Sequence, residues 1–120
     1  MESQNQTHSQ KMMSLPSQEF FESLIKKNPP QPHDPIVIIL FSAEAWCGPC
    51  KRLDKNFLLN LSVKIKWYKC DIDENDYTPG YCGVSSIPAF LAIVNGNAQP
   101  LFVSSDTMKI AEWMKRGFKA

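Results

Sequence analysis

An α/β fold with a central mixed β-sheet and helices on both of its faces is the fold class that this sequence predicts. The run from Ile36 to Phe41 is apolar without interruption, which is typical of a strand buried on both sides. A helical stripe follows it and an alternating strand then begins at Val63, so we expect these two strands to be connected by a parallel crossover. Asn95–Gly96 is a hairpin turn signal that adds antiparallel pairing to the sheet.

The N-terminal part of the chain predicts an edge strand, a helix and a loop. Residues 11–15 can form a short edge strand, and Pro16 with Ser17 is a helix start signal. The predicted helix, 17–27, carries its apolar residues on one face: Phe20, Phe21, Leu24 and Ile25. Residues 28–35 contain four prolines, which lack a backbone donor, so we expect a stiff surface loop there.

The rest of the chain continues the alternation of helices and strands. Five further elements are predicted: a helix at 49–60, strands at 63–72, 89–94 and 99–103, and a short helix at 75–82. We expect the first of these helices to bury one stripe: Cys50, Leu53, Phe57 and Leu61. Ser105 or Asp106 can cap a last helix, which faces inward with Ile110, Trp113 and Met114. The predicted element order is β-α-β-α-β-α-β-β-α.

Length and composition indicate one small domain. The chain has 120 residues, 43% of them hydrophobic, which suffices for one core. Residues 1–10 are polar after the initiator, so we expect a disordered tail there and a single domain over 11–120. The formal net charge of +1 gives no basis for binding nucleic acid or an anionic membrane. We expect a monomer.

The cysteine content predicts a compartment. No apolar stretch approaches the roughly 20 residues that cross a bilayer, and the N-terminus lacks the apolar segment of a signal peptide. Four cysteines in such a chain favour reducing conditions, so we expect a cytoplasmic location. In that setting a Cys-x-x-Cys pair is more often catalytic or metal-binding than structural.

Cys47 and Cys50 stand where the central strand gives way to a helix. A thiol in the first turn of a helix faces unpaired backbone N–H groups and the positive end of the helix dipole, both of which favour the thiolate. A second thiol one helical turn further lies close enough to attack a mixed disulfide formed at the first. The spacing therefore predicts a redox-active pair.

Zinc binding is the alternative interpretation of this pair, with Cys70 and Cys82 as the other ligands. Structural zinc sites usually have a second closely spaced pair, which this sequence lacks, so we expect no bound metal. Cys70 lies in a predicted strand and is interpreted as a small buried apolar side chain. Cys82 remains open between a structural and a regulatory thiol. The acidic residues within 71–76 favour a solvated turn or helix start over a cation site.

Three features of the sequence resemble the thioredoxin family. Trp46–Lys51, with the sequence Trp-Cys-Gly-Pro-Cys-Lys, matches the family's active-site hexapeptide residue for residue. Ile87–Pro88 matches the proline that the family holds in cis beside its dithiol, and Val94–Gly96 matches its hairpin. Phe41–Ala43 is most similar to eukaryotic-type members. The resemblance covers essentially all of 11–120 and implies the thioredoxin fold for it.

By this resemblance the chain is a thiol-disulfide oxidoreductase that reduces protein disulfides. Cys47 would be the attacking thiolate and Cys50 the resolving thiol, which leaves a Cys47–Cys50 disulfide. Gly48 and Pro49 would support the pair, Pro49 by setting its reducing character. The resemblance implies no bound cofactor, since the chemistry is sulfur exchange. Thioredoxin reductase, using NADPH, would return the disulfide to the dithiol.

The same resemblance implies a groove for disulfide-containing protein substrates. Trp46 would shield the dithiol, and Pro88 in cis would present the backbone of Ile87 to an extended substrate segment. Ser104 stands where a glycine usually borders this groove, and Lys55 stands where members often have a helix-kinking proline. We expect both departures to affect the choice of partner rather than the chemistry.

The chain departs from the family at a buried aspartate in the strand that leads to the dithiol. Its position falls on Phe41, or on Leu40 if Glu44 is a one-residue insertion, and neither is a carboxylate. Lys69 matches a lysine that normally lies near that aspartate, and a buried ammonium without a counter-charge is costly. We expect Lys69 either to reach solvent or to pair with another acid, of which Glu44 is the nearest in sequence.

A binding module is the alternative function. Such a subunit would have the thioredoxin fold and dock on another protein while its dithiol stays slow or idle. The missing carboxylate supports this alternative. The intact Trp-Cys-Gly-Pro-Cys motif argues against it, because a chain that does not use its thiols has no evident need for both.

Overall fold

The computed structural model describes residues 11–26 and 34–118. The predicted tail at 1–10 and most of the predicted loop at 28–35 lie outside these residues. The strands are β1 (Met13–Ser14), β2 (Ile36–Ser42), β3 (Ile65–Asp71), β4 (Ala89–Val94), β5 (Asn97–Ala98) and β6 (Phe102–Val103). The helices are α1 (Gln18–Leu24), α2 (Gly48–Lys51), α3 (Lys55–Leu59), α4 (Tyr77–Cys82) and α5 (Thr107–Lys115).

Strand β2 lies at the centre of a mixed sheet. It runs parallel to β3, with Ile36 opposite Ile65 and Ser42 opposite Asp71. It runs antiparallel to β4 on its other side. The sheet order is β1-β3-β2-β4-β5, and β6 also pairs with β4. The predicted mixed sheet and its parallel crossover are confirmed.

Side chains of β2 alternate between two apolar cores. Ile38 and Leu40 belong to the core that α3 and α5 cover, which contains Trp67. Ile39 and Phe41 belong to the core on the opposite face, which α1 covers. A strand that is buried on both faces needs no polar alternation, which explains the unbroken apolar run. The predicted α/β class with helices on both faces is confirmed.

The single long helix predicted after the dithiol is wrong. Helices α2 and α3 are separated by residues 52–54. Asp54 is the N-cap at which α3 begins. Its carboxylate accepts a hydrogen bond from the backbone N–H of Phe57 at 3.1 Å. The restarted helix buries a different stripe: Leu58 and Leu59 are buried, whereas Phe57 is 38% exposed. A local capping side chain therefore overrode the helical periodicity.

Two strand boundaries also differ from the prediction. Strand β3 begins at Ile65, and Val63 is 79% exposed. The returning strand predicted at 99–103 is split into β5 and β6. Pro100 lies between the two pieces and has no N–H to donate to β4, which accounts for the interruption. No helix within the described part of the chain is long and apolar enough to cross a membrane.

Asp106 is the residue that caps α5. Its carboxylate accepts hydrogen bonds from the backbone N–H groups of Met108 at 2.9 Å and Lys109 at 3.3 Å. We expect Asp106→Ala to lower the free energy of unfolding by about 1 kcal/mol, because two N–H groups lose their acceptor. Urea denaturation measures this change. Ser105→Ala is the matched control, and an equal loss in that variant would contradict the assignment.

Candidate active site

The two cysteines of the hexapeptide meet at the start of α2. Cys47 is the N-cap of this helix, Cys50 is its third residue, and the two sulfurs form a disulfide with a Cα–Cα distance of 5.3 Å. The backbone N–H of Cys50 also donates to Cys47 Sγ at 3.2 Å. Cys50 is fully buried, whereas Cys47 keeps 4% of its surface exposed. Cys47 is thus the sulfur placed nearer to an incoming reactant.

Trp46, the residue before Cys47, has an exposed side chain that lines a groove. Its indole is 60% exposed, and Nε1 donates to Asp73 Oδ2 at 2.9 Å. Sequence reasoning placed Asp73 in a solvated acidic turn and missed this contact. The contact depends on the strand register, which pairs Asp71 with Ser42 and so brings the turn after β3 to the end of β2. Asp73 therefore fixes the orientation of the indole.

The Ile87–Pro88 peptide bond is cis, as the resemblance implied. Ile87 packs against the buried cluster that contains Cys47 and Cys50. Beside this cluster lies a groove of about 350 Å³, lined on its apolar side by Trp46, Ile72, Pro79, Val84 and Ile87. The structure therefore brings the exposed Trp46 and the cis-proline loop together at one groove next to the dithiol.

Ser104 lies outside the set of residues that line this groove. It is half-buried between β6 and α5, and its hydroxyl accepts a hydrogen bond from the backbone N–H of Asp106 at 3.1 Å. That contact supports the start of α5. A role for Ser104 in substrate binding stays a prediction.

Both candidate positions for the family aspartate hold buried apolar side chains. Leu40 is 1% exposed and packs in the core beneath α3 and α5. Phe41 is completely buried in the opposite core. Either register therefore leaves β2 without a carboxylate, and hydrophobic packing occupies the space instead.

Glu44 pairs with Lys55 rather than with Lys69. Its Oε2 lies 3.6 Å from Lys55 Nζ and accepts a hydrogen bond from the buried Ser42 hydroxyl at 3.3 Å. Lys69 is half-buried and lines the same cleft, of about 590 Å³, as Glu44. Within the described ranges the structure gives no ion pair between Glu44 and Lys69, so that pairing is wrong. The partial exposure of Lys69 agrees with the alternative expectation that it reaches solvent.

Lys55 extends from α3 back to the end of α2. Its Nζ donates to the carbonyl oxygen of Cys50 at 3.4 Å while it remains paired with Glu44. A cation at this position is favourable, because the last carbonyls of a helix lack intrahelical donors. The inserted Glu44 and the substituted Lys55, two separate departures from the family pattern, therefore meet beside Cys50.

The two remaining cysteines are free thiols in the core under α1. Cys70 is 2% exposed, and its thiol donates to the carbonyl oxygen of Asn75 at 3.7 Å. Burial raises the pKa of Cys70 to about 12, with smaller contributions from Cys82 and Asp71. Burial likewise raises the pKa of Cys82 to about 11. These properties agree with a small buried apolar role for Cys70, and a regulatory role for Cys82 stays a prediction.

We expect Cys70 and Cys82 to resist alkylation in the folded, oxidised protein. Because burial raises both pKa values above that of an ordinary thiol, the thiolate fraction at pH 8 should be at least about a hundredfold lower than for a free cysteine. Their rates should then rise about tenfold per pH unit between pH 8 and 10. Iodoacetamide labelling followed by mass spectrometry measures both rates, with urea-unfolded protein as the control. Labelling of either thiol as fast as in urea would contradict the expectation.

Metal binding has no support in the part of the chain that the structure describes. No group of three or more His, Cys, Asp or Glu side chains there is arranged to hold a metal ion. The Cys47 and Cys50 sulfurs are bonded to each other, whereas Cys70 and Cys82 are separate thiols in another core. The zinc alternative therefore lacks its four-sulfur arrangement.

Comparison with known proteins decides the family. A family model described as Thioredoxin matches residues 11–116. The chain belongs to the thioredoxin family. Thioredoxin from Rickettsia typhi is 37% identical over 84 residues, which are 67% of this chain and 79% of that protein. Thioredoxin M2 from Arabidopsis thaliana, a chloroplastic protein, is 35% identical over 74 residues, which are 59% of this chain and 39% of that protein.

Solved thioredoxin structures share the fold. Mitochondrial thioredoxin 3 from Saccharomyces cerevisiae, in its oxidised form, superimposes with a TM-score of 0.76 over 88% of this chain and 94% of that chain, at 24% identity. The predicted thioredoxin fold is confirmed. The chain spans about half the length of several curated relatives that it matches. Thioredoxins carry a redox-active disulfide and no prosthetic group, and in this chain Cys47 and Cys50 form that disulfide.

Proposed function

We propose that this thioredoxin-family chain reduces protein disulfides by thiol-disulfide exchange at Cys47 and Cys50. The observation that carries the proposal is the asymmetry of the pair. Cys47 caps α2, retains some exposure and packs in one cluster with Ile72 and Ile87 of the groove lining, whereas Cys50 is fully buried one turn behind it. A substrate sulfur can therefore approach Cys47, and the buried Cys50 is placed to attack Cys47 afterwards.

The reaction has two exchange steps. In the reduced chain the Cys47 thiolate attacks one sulfur of the substrate disulfide, whose bond breaks and releases the other substrate sulfur as a thiolate that takes up a proton. Cys50, after losing its proton, then attacks Cys47 Sγ in the mixed disulfide. The second substrate sulfur leaves and is protonated, and the Cys47–Cys50 disulfide forms. The substrate gains two electrons and two protons, and the dithiol loses them.

Trp46 and the Ile87–Pro88 loop form the proposed substrate groove. The groove offers apolar side chains beside the dithiol, and the half-buried Ile87 precedes a proline that cannot donate a backbone hydrogen bond. An extended substrate segment could therefore pair with the backbone of Ile87 while its apolar side chains contact Trp46. Gly48 and Pro49 form the turn that holds the two sulfurs together.

Several partners belong to the proposal. Thioredoxin reductase, using NADPH, is the proposed donor that re-reduces the disulfide, and disulfide-containing proteins are the proposed substrates. We further propose a monomer in the cytoplasm. The location is supported by the two free thiols, Cys70 and Cys82, which suit a reducing compartment.

Reduction of insulin with dithiothreitol as the donor tests the activity. Because Cys47 is placed to act as a thiolate, the chain should precipitate the insulin B chain at least about tenfold faster than dithiothreitol alone. Replacing dithiothreitol by thioredoxin reductase and NADPH then tests the donor through NADPH consumption. A rate equal to that of dithiothreitol alone would favour the binding-module alternative, to which the absence of a carboxylate at Leu40 and Phe41 still gives support.

A further inference from the structure

Lys55 contacts both Glu44 and the backbone of the resolving cysteine, Cys50. The ammonium of Lys55 lies 3.4 Å from the carbonyl oxygen of Cys50 and 3.6 Å from Glu44 Oε2. The Lys55 and Glu44 side chains are 27% and 41% exposed, so the pair itself contributes little to stability. Cys50, in contrast, is completely buried. A charge held against a buried residue is screened less by water than a charge in solution.

Glu44 is itself held from two sides. Its carboxylate accepts from the Ser42 hydroxyl, which is fully buried at the end of β2. Its backbone N–H donates to Asp71 Oδ2 at 3.4 Å, at the end of the neighbouring strand β3. The carboxylate that positions Lys55 is therefore anchored to the central strands of the sheet rather than to a free loop.

Other charged groups lie around the dithiol on each element packed against it. The Ile87–Pro88 loop and β4 contribute none. At the C-cap of α2, Arg52 Nη1 lies 3.3 Å from the position that a Cβ on Gly48 would occupy. The remaining groups are Lys51 on α2, Lys69 and Asp71 on β3, Asp73 bonded to Trp46, and Asp76 in the groove lining. Lys55, on α3, differs from these groups because its side-chain nitrogen donates a hydrogen bond to the carbonyl oxygen of Cys50.

We propose that Lys55, held in place by Glu44, favours the thiolate form of Cys50 when Cys50 resolves the mixed disulfide. Both are positioning residues, since neither contacts a reacting sulfur. The inference rests on the proposed function, because it concerns the second exchange step of that reaction. In this proposal Lys55, a cation that approaches the resolving cysteine from α3, takes the place of the carboxylate that β2 lacks.

The step that Lys55 assists is balanced in atoms and electrons. The Cys50 thiol loses its proton, and its sulfur attacks Cys47 Sγ. The bond between Cys47 and the substrate sulfur breaks as the Cys47–Cys50 bond forms. The substrate sulfur departs with the bonding electron pair and takes up one proton, so the net proton transfer runs from Cys50 to the substrate. Stabilising the Cys50 thiolate lowers the cost of the first part of this step.

Titration of Cys50 in the reduced protein tests the proposal without any measurement of activity. With ¹³C-labelled cysteine, the Cβ shift of Cys50 reports its ionisation in wild type and in Lys55→Gln. We expect the titration midpoint to move to higher pH, so that the ionised fraction at pH 7 falls about threefold to tenfold. Because this readout does not require a substrate, it remains informative even if insulin reduction fails.

A rate measurement and a rescue complete the experiment. In single-turnover reduction of a labelled peptide disulfide, Lys55→Gln should slow decay of the mixed disulfide about threefold to tenfold at pH 7 and approach the wild-type rate at alkaline pH. Formation of the mixed disulfide should be unchanged. Lys55→Arg, which keeps the cation, should restore the titration midpoint and the rate to within about twofold.

Two variants separate the proposed contact from general effects of charge. Lys51→Gln removes the same charge from an exposed side chain next to Cys50 and should leave the Cys50 titration nearly unchanged. In a Glu44→Gln background, the effect of Lys55→Gln should fall to less than about half, because the ammonium is no longer held. An unchanged Cys50 titration in folded Lys55→Gln would overturn the proposal. Equal shifts in Lys51→Gln, or an undiminished effect in the Glu44→Gln background, would also overturn it.

Discussion

Replacing Cys47 by serine should lower the rate of protein-disulfide reduction by roughly a thousandfold or more, since a serine hydroxyl is not ionised near pH 7 and cannot form the mixed disulfide. The fold should survive, because Cys47 is the N-cap of α2 and serine is a favoured residue at that position. The insulin assay measures the rate, and thermal unfolding in reducing buffer compares the folded variants.

Cys82→Ser is the matched control for the loss of one sulfur. Cys82 lies at the end of α4, packed against the core under α1 and outside the groove lining. Its replacement should leave the rate of insulin reduction within about twofold of wild type, because its thiol is not ionised at neutral pH. If Cys47→Ser kept substantial activity and the further replacement of Cys82 removed it, Cys82 rather than Cys47 would be the attacking cysteine, and our assignment would be wrong.

Introducing the family's aspartate at Leu40 should destabilise this chain strongly. Leu40 is 1% exposed and packs with Ile38, Trp67 and Phe90 in the core under α3 and α5. Leu40→Asp removes that packing and buries a carboxyl group among apolar side chains. We expect the free energy of unfolding to fall by about 4 kcal/mol at pH 7, measured by urea denaturation.

The loss in Leu40→Asp should depend on pH. Burial would raise the pKa of the introduced carboxyl group in the folded state above its value in the unfolded state, so the folded protein binds the proton more tightly. The free energy of unfolding should therefore be least affected below about pH 4, which is the pKa of the introduced carboxyl group in the unfolded chain. It should fall as the pH rises from there towards neutrality. Leu40→Asn, similar in size and uncharged, should show a loss without this pH dependence. A loss below about 1 kcal/mol in Leu40→Asp would show that the site tolerates the family carboxylate.

The central strands and the dithiol could be predicted from sequence because their signals are local. The apolar run of β2 needs burial on both faces, and the register of β2 with β3 and β4 supplies it. The turn at Asn95–Gly96 has the positive φ angles that its two residues favour, at 50° and 83°. Hydrophobic pattern and turn chemistry agree in these elements, so one interpretation was favoured.

The break between α2 and α3 could not be predicted from periodicity. Leu53 and Phe57 continue the stripe of Cys50 in sequence, and only the capping hydrogen bond of Asp54 shows that the helix restarts. Capping competes with propagation over a difference of about 1 kcal/mol, which a hydrophobic pattern does not resolve. The burial of Leu58 in place of Phe57 follows from that restart.

The contact between Glu44 and Lys55 lay beyond sequence reasoning for the same cause. Sequence alone identified each residue as a separate departure and named Glu44 only as the nearest acid in sequence that could pair with Lys69 if Lys69 did not reach solvent. Helix α3 begins at Lys55, which places the Lys55 side chain at the end of α2, within reach of Glu44 and of the Cys50 carbonyl. A pairing that depends on where a helix begins is visible only once that boundary is known.

Trapping with Cys50→Ser tests most directly whether Cys47 attacks and Cys50 resolves. Without the resolving thiol, the mixed disulfide formed at Cys47 should persist, because the nearest remaining cysteines, Cys70 and Cys82, lie in another core. Incubation with a disulfide-bonded protein, followed by mass spectrometry of proteolytic fragments, should show one adduct on Cys47 that dithiothreitol removes. An adduct on Cys82, or release of the substrate as fast as in the wild type, would contradict these roles.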